Sequence, residues 1–161
     1  MDNPLKTPGE LLPYRTIKQI LAARPGGVHV VGPADTALSA LRIMAEHHVG
    51  LLVVFEAQKL VGVVSERDVG RKVILAGRAP GDALVGDIMT REVVTVTPAE
   101  RFFDCMQLME RHGIRHLPVV EGGRVVGVVS GRDLMREAIA HYGKVIVDLE
   151  RERMTMFISP A

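Results

Sequence analysis

The sequence predicts an α+β fold made of two related β-α-β-β-α repeats, and three observations lead there. The stretch Val61-Gly62-Val63-Val64-Ser65-Glu66-Arg67-Asp68 recurs 65 residues later as Val126-Gly127-Val128-Val129-Ser130-Gly131-Arg132-Asp133. In both places it is the second of two β-branched apolar runs joined by a short polar link, the pattern of an antiparallel hairpin. Ahead of each hairpin, apolar residues recur at helical spacing.

The repeat is a true duplication. Aligned without a gap, 33–71 and 98–136 share 15 identities in 39 positions, where unrelated sequence of ordinary composition gives roughly two or three. Self-similarity at a fixed period outranks local propensity as a fold signal. The expected boundaries are an extended arm over 1–15, repeat one over 16–78, a linker over 79–83, repeat two over 84–140 and a C-terminal helix or tail over 141–161.

In chain order, Pro4, Pro8, Gly9 and Pro13 break the arm. Ile17, Ile20 and Leu21 mark a short helix over 16–23, stopped by Pro25-Gly26-Gly27. A strand over 28–31 follows. Ala37, Leu38, Leu41, Met44 and Ala45 form the apolar face of the first repeat's helix, with Asp35 or Thr36 as its cap. Leu51-Leu52-Val53-Val54-Phe55 and the run 60–64 are the hairpin, and a second helix spans 66–75. The second repeat has a short helix over 84–89 and a strand over 93–96. Its next helix has an apolar face of Phe102, Phe103, Met106 and Met109 and ends at Gly113. The hairpin runs 117–120 and 125–129, and its final helix spans 131–140. Neither repeat can cover both faces of its few strands alone, so the two are expected to pack on one another. The charged tail, with Glu150-Arg151-Glu152-Arg153, reads as a solvated helix in preference to a docking one.

Composition narrows the function. With 161 residues, 47% hydrophobic and 24% charged, the chain is an ordinary globular protein. A net charge of +1 makes no basic field for nucleic acid. No apolar run reaches the roughly 18 residues of a membrane span, and the N-terminus lacks a signal peptide's apolar core. Cys105 has no partner for a disulfide and lies in an apolar helical pattern, as a structural thiol in a reducing, cytoplasmic setting would. No nucleophile is paired with a base, no His/Cys/Asp spacing suits a metal and no Gly-rich phosphate loop occurs, which argues against an enzyme. His47 and His112 match each other at helix ends and suit the C-terminal dipole.

The chemistry concentrates at the two strand-to-helix junctions. A strand that ends at Ser and starts a helix offers backbone N–H groups, the positive helix end and a hydroxyl, all suited to phosphate or ribose oxygens. Asp68 and Asp133, three residues after Ser65 and Ser130, can accept two ribose hydroxyls. The competing reading is a capping box that only stabilises the helix. Arg67 and Arg132 suit a phosphate or a surface ion pair equally.

With Asp87-Ile88-Met89-Thr90, Arg115-His116-Leu117-Pro118-Val119-Val120 and the two Gly-Val-Val-Ser-x-Arg-Asp junctions, the chain closely resembles a tandem pair of cystathionine β-synthase (CBS) domains over about 16–140. It is most similar to small bacterial proteins made of one such pair. The resemblance implies two pseudo-twofold-related repeats meeting through their sheets. It also implies clefts for an adenosine-containing ligand, AMP or ATP first, NAD(H) or S-adenosylmethionine next, as a regulatory ligand and not a required cofactor. Asp68 and Asp133 would hold ribose and Arg115 and His116 would contact phosphate, and Pro118 of the same motif belongs with the ligand-binding residues. The first repeat has Gly50 and Leu51 at the basic pair's place, so one cleft should favour phosphates. Thr95 matches a position lining the adenine pocket, and its counterpart Val30 offers only backbone; β propensity alone explains Thr95 equally well. A homodimer and an unidentified regulated protein are the implied partners, and a ligand-free oligomerisation scaffold is the alternative.

Overall fold

The computed structural model describes residues 14–23 and 26–158, with the side chains of 14–23 and 26–154. The arm expected over 1–15 lies outside the described residues except for Tyr14 and Arg15. In order the elements are α1 (Ile17–Ala22), β1 (Val30–Val31), α2 (Ala37–His47), β2 (Leu51–Glu56), β3 (Lys59–Ser65) and α3 (Glu66–Val69). There follow α4 (Val85–Ile88), α5 (Phe102–His112), β4 (His116–Glu121), β5 (Arg124–Ser130) and α6 (Gly131–Ile158). Each repeat therefore has a small sheet with helices, the mixed α+β architecture its sequence predicts.

In the first repeat the sheet order is β1-β2-β3, with β1 parallel to β2 and β2 antiparallel to β3. The hairpin closes through Ala57 and Gln58, both left-handed at φ 46° and 65°, and the matching turn in β4-β5 uses Gly122 and Gly123 at 56° and 77°. Two such residues in succession give the turn whose twist matches the flanking strands. The equivalent helices also end alike, at His48 (φ 53°) and Gly113 (φ 63°). Gly62 has no latitude, because a Cβ there would stand 2.9 Å from the Thr90 carbonyl oxygen and 2.8 Å from Met89 Sδ. That crowding follows from Thr90 pairing with Val63 through two backbone hydrogen bonds of 3.0 and 2.8 Å.

Contacts divide the chain into two compact units whose limits are not those of the repeats. One holds Pro25–Val96 and His116–Val128; the other holds Thr97–Arg115, the chain from Val129 onward and the N-terminal helix. The first unit's core gathers Val31, Ala40, Met44, Leu52, Val54, Val64 and Ile88. Burial of Leu52, Val53 and Val54 in succession covers β2 on both faces. In the second unit Ile17 and Ile20, Phe102, Cys105 and Met109, and Leu134 are buried. Residues Ile17 and Lys18 donate their N–H groups to the Glu100 and Pro98 carbonyls, fixing α1 beside the start of α5.

Several expectations need correction. The strand over 28–31 is only two residues long. The strand over 93–96 shrinks to one parallel bridge, Val96 with Val119, because only Val96 exchanges backbone hydrogen bonds, with Pro118 O and Val120 N. The apolar face of α5 is Phe102, Cys105 and Met109, while Phe103 and Met106 stay exposed. On α2 it is Ala37, Ala40 and Met44, with Leu38 and Ala45 exposed. After α3 the chain widens into a π-helical turn, Gly70–Ile74, where Leu75 donates to Gly70 O five residues back. The second repeat has Met135 in place of Gly70, a better helix former, and stays α-helical. It does not stop at residue 140 either: α6 runs without a break to Ile158.

Candidate functional site

Both junctions carry the same hydrogen-bonded box. Ser65 donates its N–H to Asp68 Oδ2 at 3.0 Å and its hydroxyl to the same oxygen at 2.6 Å, while Asp68 N–H donates back to Ser65 Oγ at 3.2 Å. Ser130 and Asp133 repeat this with 2.8, 2.6 and 3.2 Å. The capping-box reading is thus realised in both repeats. Capping engages one carboxylate oxygen in each box and leaves the chemistry of the second to be set by its neighbours.

Those neighbours differ. In the first repeat Lys72 Nζ lies 2.8 Å from Asp68 Oδ1 and donates to the Ile88 carbonyl at 2.5 Å. In the second repeat the counterpart of Lys72 is Glu137, which cannot pair with a carboxylate and turns to Arg15 instead. Asp133 is also the more buried acid, 7% exposed against a half-buried Asp68. A further tie holds each helix start to the residue just ahead of its hairpin: Glu66 N–H donates to Gly50 O at 3.3 Å and Gly131 N–H to Arg115 O at 2.9 Å. Arg115, exposed, therefore stands at the N-terminal end of α6 with Ser130, Gly131 and Asp133.

His116 takes a different position from the one its sequence neighbour suggests. A Cβ on Gly50 would lie 3.5 Å from His116 Cε1 and 3.4 Å from Glu66 Oε2. The imidazole thus adjoins the first repeat's helix start, at the place where that repeat lacks a basic pair of its own. Pro118 is buried and accepts from Val96 N–H at 3.0 Å, which holds exposed Thr95 beside β4. Val30 is 46% exposed on β1. Arg67 is half-buried and Arg132 exposed.

A second polar cluster escaped the sequence reading. Glu137, on the buried face of α6, accepts from Arg15 N–H at 3.1 Å and Arg15 Nε at 2.7 Å, with Nη2 at 2.5 Å. Burial raises its carboxyl pKa, but the Arg15 hydrogen bonds and charge, with Lys144, outweigh that and leave it below the usual value. Tyr14 stacks on His141 at 3.9 Å and on Phe102 at 4.3 Å. Burial, with Tyr142 and Glu137 nearby, pushes its phenol up to about 12. The signal was a Glu three residues after Leu134 and four before His141 on one helix face, where an acid must find a cation.

Cys105 is fully buried, and burial, with Glu100 and Asp104, pushes its thiol up to about 11, so it is unreactive at neutral pH. His47 is not only a helix-end residue: its ring stacks on His29 at 4.1 Å. Among the described residues no group of three or more His, Cys, Asp or Glu side chains is placed to hold a metal ion, and no helix is long and apolar enough to cross a membrane.

Known proteins share this arrangement. The family model described as CBS domain matches residues 18–74 and 85–140. The mitochondrial CBS domain-containing protein CBSX3 of Arabidopsis thaliana is 44% identical over an alignment of 112 positions that covers 66% of this chain and 54% of that protein. The chain thus spans about half the length of that relative. A signal-transduction protein with CBS domains from Burkholderia ambifaria superposes with a TM-score of 0.75 at 38% identity, covering 78% of this chain and 95% of that one. The CBS domain pair of protein MJ0100, solved in complex with 5′-methylthioadenosine and S-adenosyl-L-methionine, gives 0.66 at 26% identity, covering 77% and 95%. A CBS pair is a regulatory, ligand-binding module. Two matched repeats over most of its length, each with its own sheet and capped junction, place this chain in the CBS domain family.

Proposed function

We propose that the protein senses an adenosine-containing nucleotide, of the AMP or ATP type, at its strand-to-helix junctions and passes that binding on to a partner protein without catalysing a reaction. The observation that carries the proposal is the second junction, where Asp133, Ser130, the Gly131 helix start and Arg115 converge. The helix start and Arg115 suit phosphate, and the Asp133 carboxylate suits ribose hydroxyls. Thr95, Val30, Pro118, Arg67, Arg132 and His116 complete the set of proposed contacts. Binding regulates only if the ligand prefers one arrangement of the repeats, or of two chains in a homodimer, over another. The buried, unreactive Cys105 suits a reducing compartment, and we place the protein in the cytoplasm.

Calorimetry with AMP, ATP, NADH and S-adenosylmethionine tests this on the wild type and on Asp133→Asn, which keeps the side chain's size. Micromolar binding of AMP or ATP that weakens at least tenfold in the variant is the expected result. Failure of all four to bind below about millimolar sinks the reading. S-adenosylmethionine is the specific rival, because MJ0100 holds it, and tighter binding of that ligand would replace the nucleotide. A thermal shift separates both from a ligand-free scaffold, whose melting temperature no ligand moves.

A further inference from the structure

Three buried side chains of the second repeat have no likeness in the first. At the repeat offset of 65 residues, Phe102, Glu137 and His141 stand where the first repeat has Ala37, Lys72 and Ala76. The repeat thus folds without two rings and an acid at these places. Phe102 on α5, and Glu137 and His141 one turn apart on α6, are each 5% exposed. Tyr14 lies 4.3 Å from Phe102 at 9° and 3.9 Å from His141 at 21°. Two rings this close and this parallel cannot share one face of a third, so Phe102 and His141 hold Tyr14 from opposite sides. The next residue, Arg15, directs its N–H, Nε and Nη2 to the Glu137 carboxylate. Together these side chains form a slot that takes a flat ring followed by a cation.

Tyr14 and Arg15 fill the slot without satisfying all of it. His141 Nε2 is buried and has no hydrogen-bond partner among the described residues, a costly state for a buried polar atom. The occupant is also separable from the rest of the fold. Helix α1 begins behind it at Thr16, which forms its own capping box with Gln19. Ile17 and Lys18 donate to the Glu100 and Pro98 carbonyls, and Ile17 and Ile20 are buried. Tyr14 and Arg15 can therefore lift out while α1 stays in place.

We propose that this slot is a docking site for a segment of a partner protein in which an aromatic residue is followed by a basic one, and that Tyr14-Arg15 is an intramolecular occupant which such a segment displaces. The parallel walls select the flat ring. Glu137 selects the cation, because a carboxylate held out of water must be paired. The unmet Nε2 favours an incoming segment that brings a polar atom within its reach. A tethered occupant competes at an effective concentration of roughly millimolar, so Tyr14-Arg15 sets the threshold that a partner must exceed. The docking does not rest on nucleotide binding and is tested without any nucleotide.

The probe is a short fluorescein-labelled peptide with a central Tyr-Arg pair, and its control carries Tyr-Glu. Full-length Tyr14→Ala/Arg15→Ala, which empties the slot, is compared with the wild type by fluorescence anisotropy after circular dichroism and a cooperative melt confirm its folding. The emptied slot should bind the Tyr-Arg peptide at least about tenfold more tightly than the wild type does, and by the same margin more tightly than it binds Tyr-Glu. Adding Glu137→Gln to the variant should abolish the gain. Equal binding by the wild type and the emptied protein, or no binding at millimolar protein, overturns the docking site. Equal binding of the two peptides overturns the selection of a basic residue. Should the double variant fail to melt cooperatively, Arg15→Ala alone, which keeps the Tyr14 ring, should still gain roughly threefold over the wild type, and no gain there overturns the proposal.

Discussion

The carboxylate of Glu137 stands where the first repeat has Lys72, and that exchange of charge decides what each helix can hold. Lys72 turns to Asp68, whereas Glu137 turns to Arg15 ahead of α1. Arg15→Ala leaves a buried acid without its donors and is expected to cost about 1–3 kcal/mol at pH 7, discounted from fully buried pairs because Arg15 is 44% exposed in its side chain. The pH dependence follows from the direction of the Glu137 shift. Because its pKa is lowered on folding, its stabilisation is complete above the unfolded value of about 4.3 and disappears as pH falls through the folded value. Urea midpoints at pH 7 and pH 3 should therefore show a gap between wild type and Arg15→Ala that narrows in acid. A gap of equal size at both pH values rules the coupling out.

At the level of elements, the hairpins were legible because β-branched apolar runs and link length are local properties. The turn geometry adds a consequence that sequence alone did not show. Ala57 and Gln58 are left-handed without being glycine or asparagine, while their counterparts Gly122 and Gly123 reach the same region at no steric cost. Ala57→Asn with Gln58→Gly installs the residue pair that this turn prefers. It is expected to stabilise by about 1 kcal/mol, which raises Tm by roughly 2–4 °C in a chain of this size. An unchanged or lower Tm shows that the left-handed turn stores no strain. Helix lengths were less legible. The expected stop at Ala140 followed the end of the repeat, although the apolar spacing of four and three from Met135 through Leu149 runs past it and Gly143 only lowers propensity without ending a helix. The π-helical turn after α3 was hidden for a similar reason: it keeps Val69 and Val73 buried while shifting the backbone register by one residue.

Across the whole molecule, duplication made the fold plain in the sequence and concealed how far the two junctions differ. Ser65-Asp68 and Ser130-Asp133 look interchangeable as strings and as capping boxes. Their surroundings come from positions where the repeats diverge, Lys72 against Glu137 and Gly50 against Arg115, and from His116 reaching the first repeat's helix start, a contact that no local pattern encodes. This asymmetry predicts stoichiometry. At the first junction a ribose must displace an ammonium 2.8 Å from Asp68 Oδ1, and the counterpart of Lys72 in the second repeat is the acid Glu137. AMP should then titrate the wild type near one per chain. Lys72→Met keeps the aliphatic stem and removes the competing charge, at the loss of a hydrogen bond to Ile88 O. Affinity at the first junction should rise about tenfold, equivalent to about 1.4 kcal/mol, and bring the measured stoichiometry toward two. If stoichiometry and affinity both stay at wild-type values in a variant that melts normally, Lys72 does not gate that junction, and the inequality of the two sites must lie with Arg115.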